Sequence, residues 1–240
     1  MKSYFNFKQF SVKQDNSPMK IGTDSVLLGS WTNLADAGSV LDVGTGTGIL
    51  ALMLAQKFEP SIPVNIDAIE IDENAIADAK ENFEKSKWSR GLRLLNISFQ
   101  EYSFKSVDKY DLIISNPPYF INSLKSPDNS RNKARHSDSL TYEELIQSVC
   151  RLLNKNGRFC LVLPYNSEIK FKEYAFLKGL YCHKELLVKS NINSQPVRIL
   201  MELSFIPQYN INSRMLVIRD ENGNYTQDYK NLTSDYYLNF

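Results

Sequence analysis

From residue 38 the chain alternates short apolar runs with stretches of helical periodicity, which restricts its fold more than any other feature. "SVLDVG" (39–44) runs into glycines and is followed by "ILALMLAQK" (49–57), a buried-helix pattern. "VNIDAIEI" (64–71) reads as a strand and "ENAIADAKENFEKSKW" (73–88) as a helix. In that helix Ile76, Ala79 and Phe83 fall at helical spacing, with charges on the other face. The strands "LRLLNISF" (92–99) and "YDLIIS" (110–115) follow. A helix over about 142–155 opens on the capping-box pair Thr141 and Glu144 and closes before Gly157. A fifth strand, "RFCLVLP" (158–164), precedes a helix over 167–178 that Gly179 stops; two strands near 181–188 and 197–205 complete the pattern.

Strands that alternate with helices need right-handed crossovers, and hence a mainly parallel sheet with helices on both faces. Only "SNINSQP" separates the last two strands, too short for a crossover helix, so they pair antiparallel. The expected class is α/β, a seven-stranded sheet, mostly parallel with one antiparallel strand. The 240 residues suit one domain, its core over 38–206 and the segments 1–37 and 207–240 packed against that core. "ENGNYT" (221–226) reads as a hairpin turn, and the tyrosine-rich "LTSDYYLNF" as a packing segment.

Charge and cysteine content narrow the partners. A net charge of +1 excludes a histone-like global field, so a nucleic-acid partner needs a local basic patch. Lysines 2, 8, 13 and 20 are candidates for extending such a face. Three cysteines (Cys150, Cys160, Cys182) without a C-x-x-C pair argue against a disulfide framework or a metal site; they read as small buried hydrophobes in a reducing compartment. The opening residues lack the apolar core of a signal peptide, and no apolar run approaches the ~18 residues of a membrane span. A cytoplasmic protein that engages no membrane is expected.

In open parallel sheets, ligands bind beyond the carboxyl ends of the strands. This chain places unusual residues at four such ends: Asp42 with its glycines, Glu70, the segment Ser98-Phe99-Gln100, and Asn116-Pro117-Pro118-Tyr119. In "DVGTGTG", Gly44, Gly46 and Gly48 let the backbone turn tightly beside a ligand. A dinucleotide enzyme also uses such a turn, and G-x-G-x-x-A counted from Gly46 through Ala51 satisfies the relaxed pattern. Asp42 at the strand tip, however, would repel a pyrophosphate and suits an ammonium or sulfonium group, which favours S-adenosylmethionine over NAD. Glu70 is placed to accept the ribose hydroxyls of an adenosine. Asp72 is an alternative for that role and equally a cap for the next helix.

At the fourth end, Pro117-Pro118 cannot continue a helix and stiffens the loop after the strand. The Asn116 side-chain oxygen and the Pro117 carbonyl then serve as fixed acceptors, matching the two N–H bonds of a planar amino or amide nitrogen. Tyr119 offers a flat ring for stacking.

"DVGTGTG", "IEID" and "NPPY" in this order resemble the class I methyltransferases that act on exocyclic adenine amines or on the amide of glutamine. Within that Rossmann-like group, "FNFKQFSVKQDNSPMKIGTDSVLLGSW" (5–31), "ARHSDSLTYEELI" (134–146) and the closing "LTSDYYLNF" are similar to the bacterial tRNA1(Val) (adenine(37)-N6)-methyltransferases. The resemblance covers nearly the whole chain. It implies that S-adenosylmethionine methylates N6 of the adenine beside the anticodon of a valine tRNA, without a metal and without an obligatory protein partner, leaving S-adenosylhomocysteine. It further implies that Asp42 and the glycines hold the methionine end, and Glu70 with Ile71 the ribose. Ser98, Phe99 and Gln100 would flank the adenine, while Thr23 and Asp24 would close the pocket from an N-terminal helix. Where such enzymes often carry an aspartate for the adenine amine, this chain has Ser98, which leaves that contact to backbone groups or Gln100.

The stretch "INSLKSPDNSRNKARH" (121–136) carries Lys125, Arg131, Lys133 and Arg135 against Asp128, a net +3 (4 − 1). It reads as a phosphate-gripping flap for an anticodon stem-loop, or else as an ordinary solvated loop. His136 either touches the substrate or has a structural place beside a helix start. Two rival activities share the motif: N5-methylation of a release-factor glutamine, and amino-group methylation of another RNA or of DNA. The first commonly needs a helical N-terminal domain, for which the 37 residues ahead of the core leave no room.

Overall fold

The computed structural model describes residues 4–34, 37–59, 61–117, 140–208 and 210–239. An antiparallel pair, β1 (Tyr4–Asn6) and β2 (Ser11–Lys13), leads to helix α1 (Thr23–Trp31). The alternating series then runs β3 (Val40–Val43), α2 (Ile49–Ala55), β4 (Ile66–Glu70), α3 (Glu73–Lys85), β5 (Leu92–Asn96), α4 (Phe99–Lys105) and β6 (Tyr110–Ser115). It continues with α5 (Tyr142–Leu152), β7 (Leu153–Pro164), α6 (Glu168–Leu177), β8 (Tyr181–Asn191), β9 (Pro196–Ser204), β10 (Asn212–Arg219) and α7 (Gln227–Thr233). The main sheet has the order β10-β8-β9-β7-β6-β3-β4-β5, with β9 antiparallel to both neighbours and every other pairing parallel.

The pleat sends successive side chains to opposite faces, and each face has its own core. Val40, Leu112 and Ile114 join α1, α2 and Phe83 of α3 on one side. Leu41, Val43 and Ile113 join Phe99 and Tyr102 of α4, Leu145 and Val149 of α5, and Phe171 of α6 on the other. Phe7, Phe10 and Val12 from the N-terminal segment and Tyr229 and Tyr236 from the C-terminal one complete the first core. Tyr236 is buried and donates its hydroxyl to the Met53 carbonyl at 2.9 Å, so "LTSDYYLNF" packs.

The structure corrects several expectations. The sheet has eight strands, not seven, because β10 from the presumed C-terminal appendage pairs parallel with β8. As an edge strand it buries only Leu216, so its sequence carries little apolar alternation. "ENGNYT" does form a turn, with Asp220 donating to the Asn224 carbonyl and a single bridge between Arg219 and Tyr225. The strand expected over 92–99 ends at Asn96, and Ser98 caps α4, which the strand reading overlooked. The Thr141–Glu144 capping box is present, but Gly157 lies inside β7 instead of past a helix end. A Cβ there would stand 2.8 Å from the Tyr110 carbonyl oxygen, where the β6–β7 register shifts.

The buried face of α3 is more polar than its periodicity suggests: Ala75, Ala79 and Phe83 share it with Asp78 and Asn82. Asp78 accepts from the backbone N–H groups of Asn16 and Ser17, both at 2.8 Å, and from Asn16 Nδ2 at 2.9 Å. Asn82 accepts from Lys13 N at 2.7 Å and donates Nδ2 to the carbonyls of Lys13 and Thr47 at 2.9 and 2.8 Å. These two side chains fasten residues 13–17 to α3 and to the glycine turn. The lysines of this segment bind within the protein: Lys13 pairs with Glu81 at 2.6 Å, and the exposed Lys8 and Lys20 donate to backbone carbonyls. Lys13, Lys8 and Lys20 therefore help to fasten the N-terminal segment; Lys2 lies outside the described residues. Asp78→Ala leaves the buried Ser17 N–H and the partly buried Asn16 N–H without their acceptor and is expected to lower unfolding free energy by roughly 3–5 kcal/mol in urea titrations. A loss below about 1 kcal/mol would remove this clasp from the account of stability.

Candidate active site

The carboxyl ends of β3, β4, β5 and β6 stand side by side, with Val43 opposite both Ile69 and Ser115, and Glu70 opposite Asn96. The sheet order reverses at β3, which lies between β4 and β6, so a crevice opens there. Ser115 Oγ donates to the Val43 carbonyl at 2.9 Å and ties the end of β6 to that of β3.

Over this crevice runs the turn 44–48. Gly44, Gly46 and Gly48 all have positive φ (68°, 57° and 83°), where a side chain is strained. At Gly48 a Cβ would also fall 2.4 Å from the Phe83 ring. The N–H groups of Gly44 and Thr45 both donate to the Ile69 carbonyl, at 2.9 and 3.0 Å, which draws the turn towards β4.

Asp42 is fully buried. Its Oδ2 accepts from Thr45 Oγ1 at 2.5 Å and from Ala51 N, in the first turn of α2, at 3.1 Å. Its Oδ1 has no hydrogen-bond partner among the described residues. Burial drives the carboxyl up to about 7; the bonds from Thr45 and Ala51 oppose that rise, and the nearby Glu70 adds to it. A buried acceptor without a donor is costly unless something else donates to it.

Glu70, half-buried at the end of β4, accepts three backbone N–H groups: Gly46 at 2.9 Å on Oε2, and Ile71 at 2.8 Å and Asp72 at 3.0 Å on Oε1. A carboxylate offers about four acceptor positions, so this arrangement has room for roughly one further donor. Asp72 caps α3 through Ala75 N at 2.8 Å, the helix-capping role open to it in the sequence, while Ile71 is exposed beside Glu70.

Beyond β6, Asn116 is half-buried, and its Nδ2 donates to Ser25 Oγ of α1 at 2.9 Å; Pro117 is buried. Thr23 opens α1 on the surface, and Asp24 accepts from Arg198 Nε of β9 at 2.9 Å. Ser98 is engaged as the α4 cap, accepting from Glu101 N at 3.2 Å. Phe99 is buried in the second core, and Gln100 is half-buried on the same helix. Pro118, Tyr119, Lys125, Arg131, Lys133, Arg135 and His136 lie outside the described residues.

The structure thus brings together Asp42, the three glycines, Glu70 and the strand-end residue Asn116, with α1 beside them. Residues 17–191 match the Methyltransferase small domain family. A Bacteroides fragilis protein named tRNA1(Val) (adenine(37)-N6)-methyltransferase is 43% identical over 236 residues, 98% of either chain. The chain belongs to that family. A Bacteroides thetaiotaomicron protein of the same name is 44% identical over 237 residues, 98% of this chain and 97% of its own. In fold, this member of the methyltransferase family resembles a crystal structure of a predicted O-methyltransferase from Agrobacterium tumefaciens, with a TM-score of 0.63 at 15% identity. That likeness covers 89% of this chain and 96% of the other.

Sequence reasoning missed four residues that brace this family member's candidate site: Ser25, Thr45, Asn82 and Arg198. Arg198 stands out in hindsight as a cation within the apolar run "PVRILMEL", and Asn82 as an amide on the Phe83 face of α3. Ser25 and Thr45 carry no such signal, since their role depends on a distant partner or a tight turn. No helix among the described residues is long and apolar enough to cross a membrane.

Proposed function

We propose that this chain methylates the exocyclic N6 of an adenine in tRNA, at position 37 beside the anticodon of a valine tRNA, using S-adenosylmethionine in the cytoplasm. The observation that carries this reading is the 43% identity to a protein of that name over 98% of both chains. The release-factor reading shares the Asn116-Pro117 pair, but the full-length likeness to tRNA1(Val) (adenine(37)-N6)-methyltransferases favours the tRNA reading.

The residues at the crevice suit the cofactor. Unpartnered Asp42 Oδ1 is an acceptor waiting for a donor or a positive charge. The turn 44–48, held by Glu70 and Asn82, keeps side chains away from the strand ends. Asp42 and the turn would hold the methionine end and Glu70 a ribose hydroxyl. The buried face of α4 leaves Gln100 and backbone groups for the adenine. When bound, the cofactor supplies an electrophilic methyl group on a sulfonium.

An adenine N6 is a weak nucleophile because its lone pair is delocalised into the ring. Asn116 Oδ1 accepts one of its N–H bonds and the Pro117 carbonyl the other, which draws the nitrogen towards a tetrahedral geometry, localises its lone pair and aims it at the methyl carbon. The acceptors hold that geometry before the base arrives, so positioning and fixed dipoles lower the barrier. No strong base is needed beforehand, because the proton leaves after attack, hydrogen-bonded to these acceptors until water takes it. The base must leave its stack to reach a crevice bounded by α1 and the glycine turn. The basic run at Lys125, Arg131, Lys133 and Arg135 would grip the anticodon-loop phosphates, with Tyr119 stacking on the base and His136 beside it.

Incubation with total tRNA from a strain lacking the modification, followed by nucleoside mass spectrometry, tests the reading. N6-methyladenosine confined to one valine tRNA is the expected result. Unmodified RNA together with a methylated protein would replace it with the glutamine reading.

A further inference from the structure

Asn116 has two unlike ends on one amide, and its use as an acceptor depends on which end faces the substrate. A half-turn about its terminal torsion would point N–H at the N–H bonds of an incoming amine and abolish the contact. Its Nδ2 donates to Ser25 Oγ at 2.9 Å, and Ser25 is buried on the first turn of α1. That turn receives no side-chain cap, since Gly22 precedes it. What anchors it is tertiary: Asp24, the residue before Ser25, accepts from Arg198 Nε at 2.9 Å. Arg198 lies near the start of β9, opposite Pro164 at the carboxyl end of β7. One helical turn is therefore tied to β9 on one side and to Asn116 on the other.

We infer that Ser25 and Arg198 are positioning residues for the transfer site. Ser25 Oγ accepts from Asn116 Nδ2 and so holds the amide in the orientation that leaves Oδ1 for the amine, while Arg198 holds the turn that carries Ser25. The inference rests on the reading of Asn116 given above. It gives Asp24 a part in anchoring α1.

Ser25→Ala is expected to lower the single-turnover methylation rate about five- to tenfold, the worth of one neutral hydrogen bond, with tRNA and cofactor affinities unchanged. In an Asn116→Ala background the same substitution has no further effect, because Ser25 acts only through Asn116. Arg198→Met gives a smaller loss of the same kind. A parallel readout needs no substrate: the Asn116 side-chain amide, assigned in ¹⁵N spectra by its loss in Asn116→Ala, exchanges slowly in the wild type and faster in Ser25→Ala and Arg198→Met. An amide that exchanges equally fast in wild type and Ser25→Ala overturns the inference whatever the substrate. Additive losses in the double variant, or reduced affinity in place of reduced rate, also overturn it and leave the tRNA reading intact. A protected amide in an enzyme that leaves tRNA unmodified supports the orientation by Ser25 and ends only the tRNA reading.

Discussion

Asn116→Ala is expected to lower the rate of methyl transfer from a saturated complex by ~10²–10³-fold, the loss typical of one preorganised polar contact at a reacting atom. The substitution removes the acceptor proposed to polarise N6, and it also leaves Ser25 Oγ, a buried group bonded at 2.9 Å, without its donor. The two consequences separate experimentally. Loss of the acceptor appears in the single-turnover rate, whereas the orphaned hydroxyl appears as a modest loss of stability of about 1 kcal/mol. Asn116→Asp keeps an oxygen in place but adds charge beside the buried strand ends, so it should recover only part of the rate. Near-normal turnover of purified, folded Asn116→Ala would remove the amide from the mechanism and with it the reason for a rigid Asn-Pro-Pro end.

The parts of the fold legible in the sequence are those where one residue type answers to one local demand. The positive φ values of Gly44, Gly46 and Gly48 are conformations that glycine adopts without strain, and the Thr141–Glu144 pair can be recognised without knowing the rest of the chain. The antiparallel β9 followed from a connection too short for a helix. What escaped notice depended on partners distant in sequence. Asp78 and Asn82 look like solvent-facing residues on a charged helix until residues 13–17 and the Thr47 carbonyl are placed against them. Helix α4 was readable from Ser98 and Glu101, a capping spacing, but the preceding apolar strand masked it. Glu70 was placed correctly at a strand end, yet its engagement with three backbone N–H groups arises from the path of the glycine turn and of residues 71–72, which no periodicity encodes. Asp24 was noticed because it sits in a recognisable segment, but its ion pair with Arg198, 174 residues away, could not be read there.

Asp42→Asn should stabilise the protein at alkaline pH while weakening cofactor binding, if the buried carboxyl has the binding role proposed for it. Its folded value of about 7 stands above the ordinary 3.8 of an aspartate, and burial is the first cause. Between those two values the unfolded chain has lost its proton and the folded chain retains it, so stability falls as pH rises through this window. The loss approaches about 4 kcal/mol and levels off above the folded value, at ~1.4 kcal/mol for each unit of separation. An asparagine keeps an oxygen for Thr45 and Ala51 and cannot ionise, so its stability profile should be flat from about pH 4 to pH 8. A wild-type profile as flat as the variant's would refute the buried-carboxyl account. Binding runs the other way. A positively charged ligand placed near the unpartnered Oδ1 favours the ionised form, so S-adenosylmethionine should bind with proton release below about pH 7 and tighten as pH rises to that point. Calorimetry in buffers of different ionisation enthalpy counts those protons directly. In Asp42→Asn the release should vanish and affinity at about pH 8 should drop on the order of 10²-fold, the usual consequence of removing one partner from a buried charge contact. Stability gained and affinity lost in one variant is a pairing that a purely structural Asp42 could not produce: a carboxyl present only to cap α2 would alter the pH profile and leave the ligand untouched.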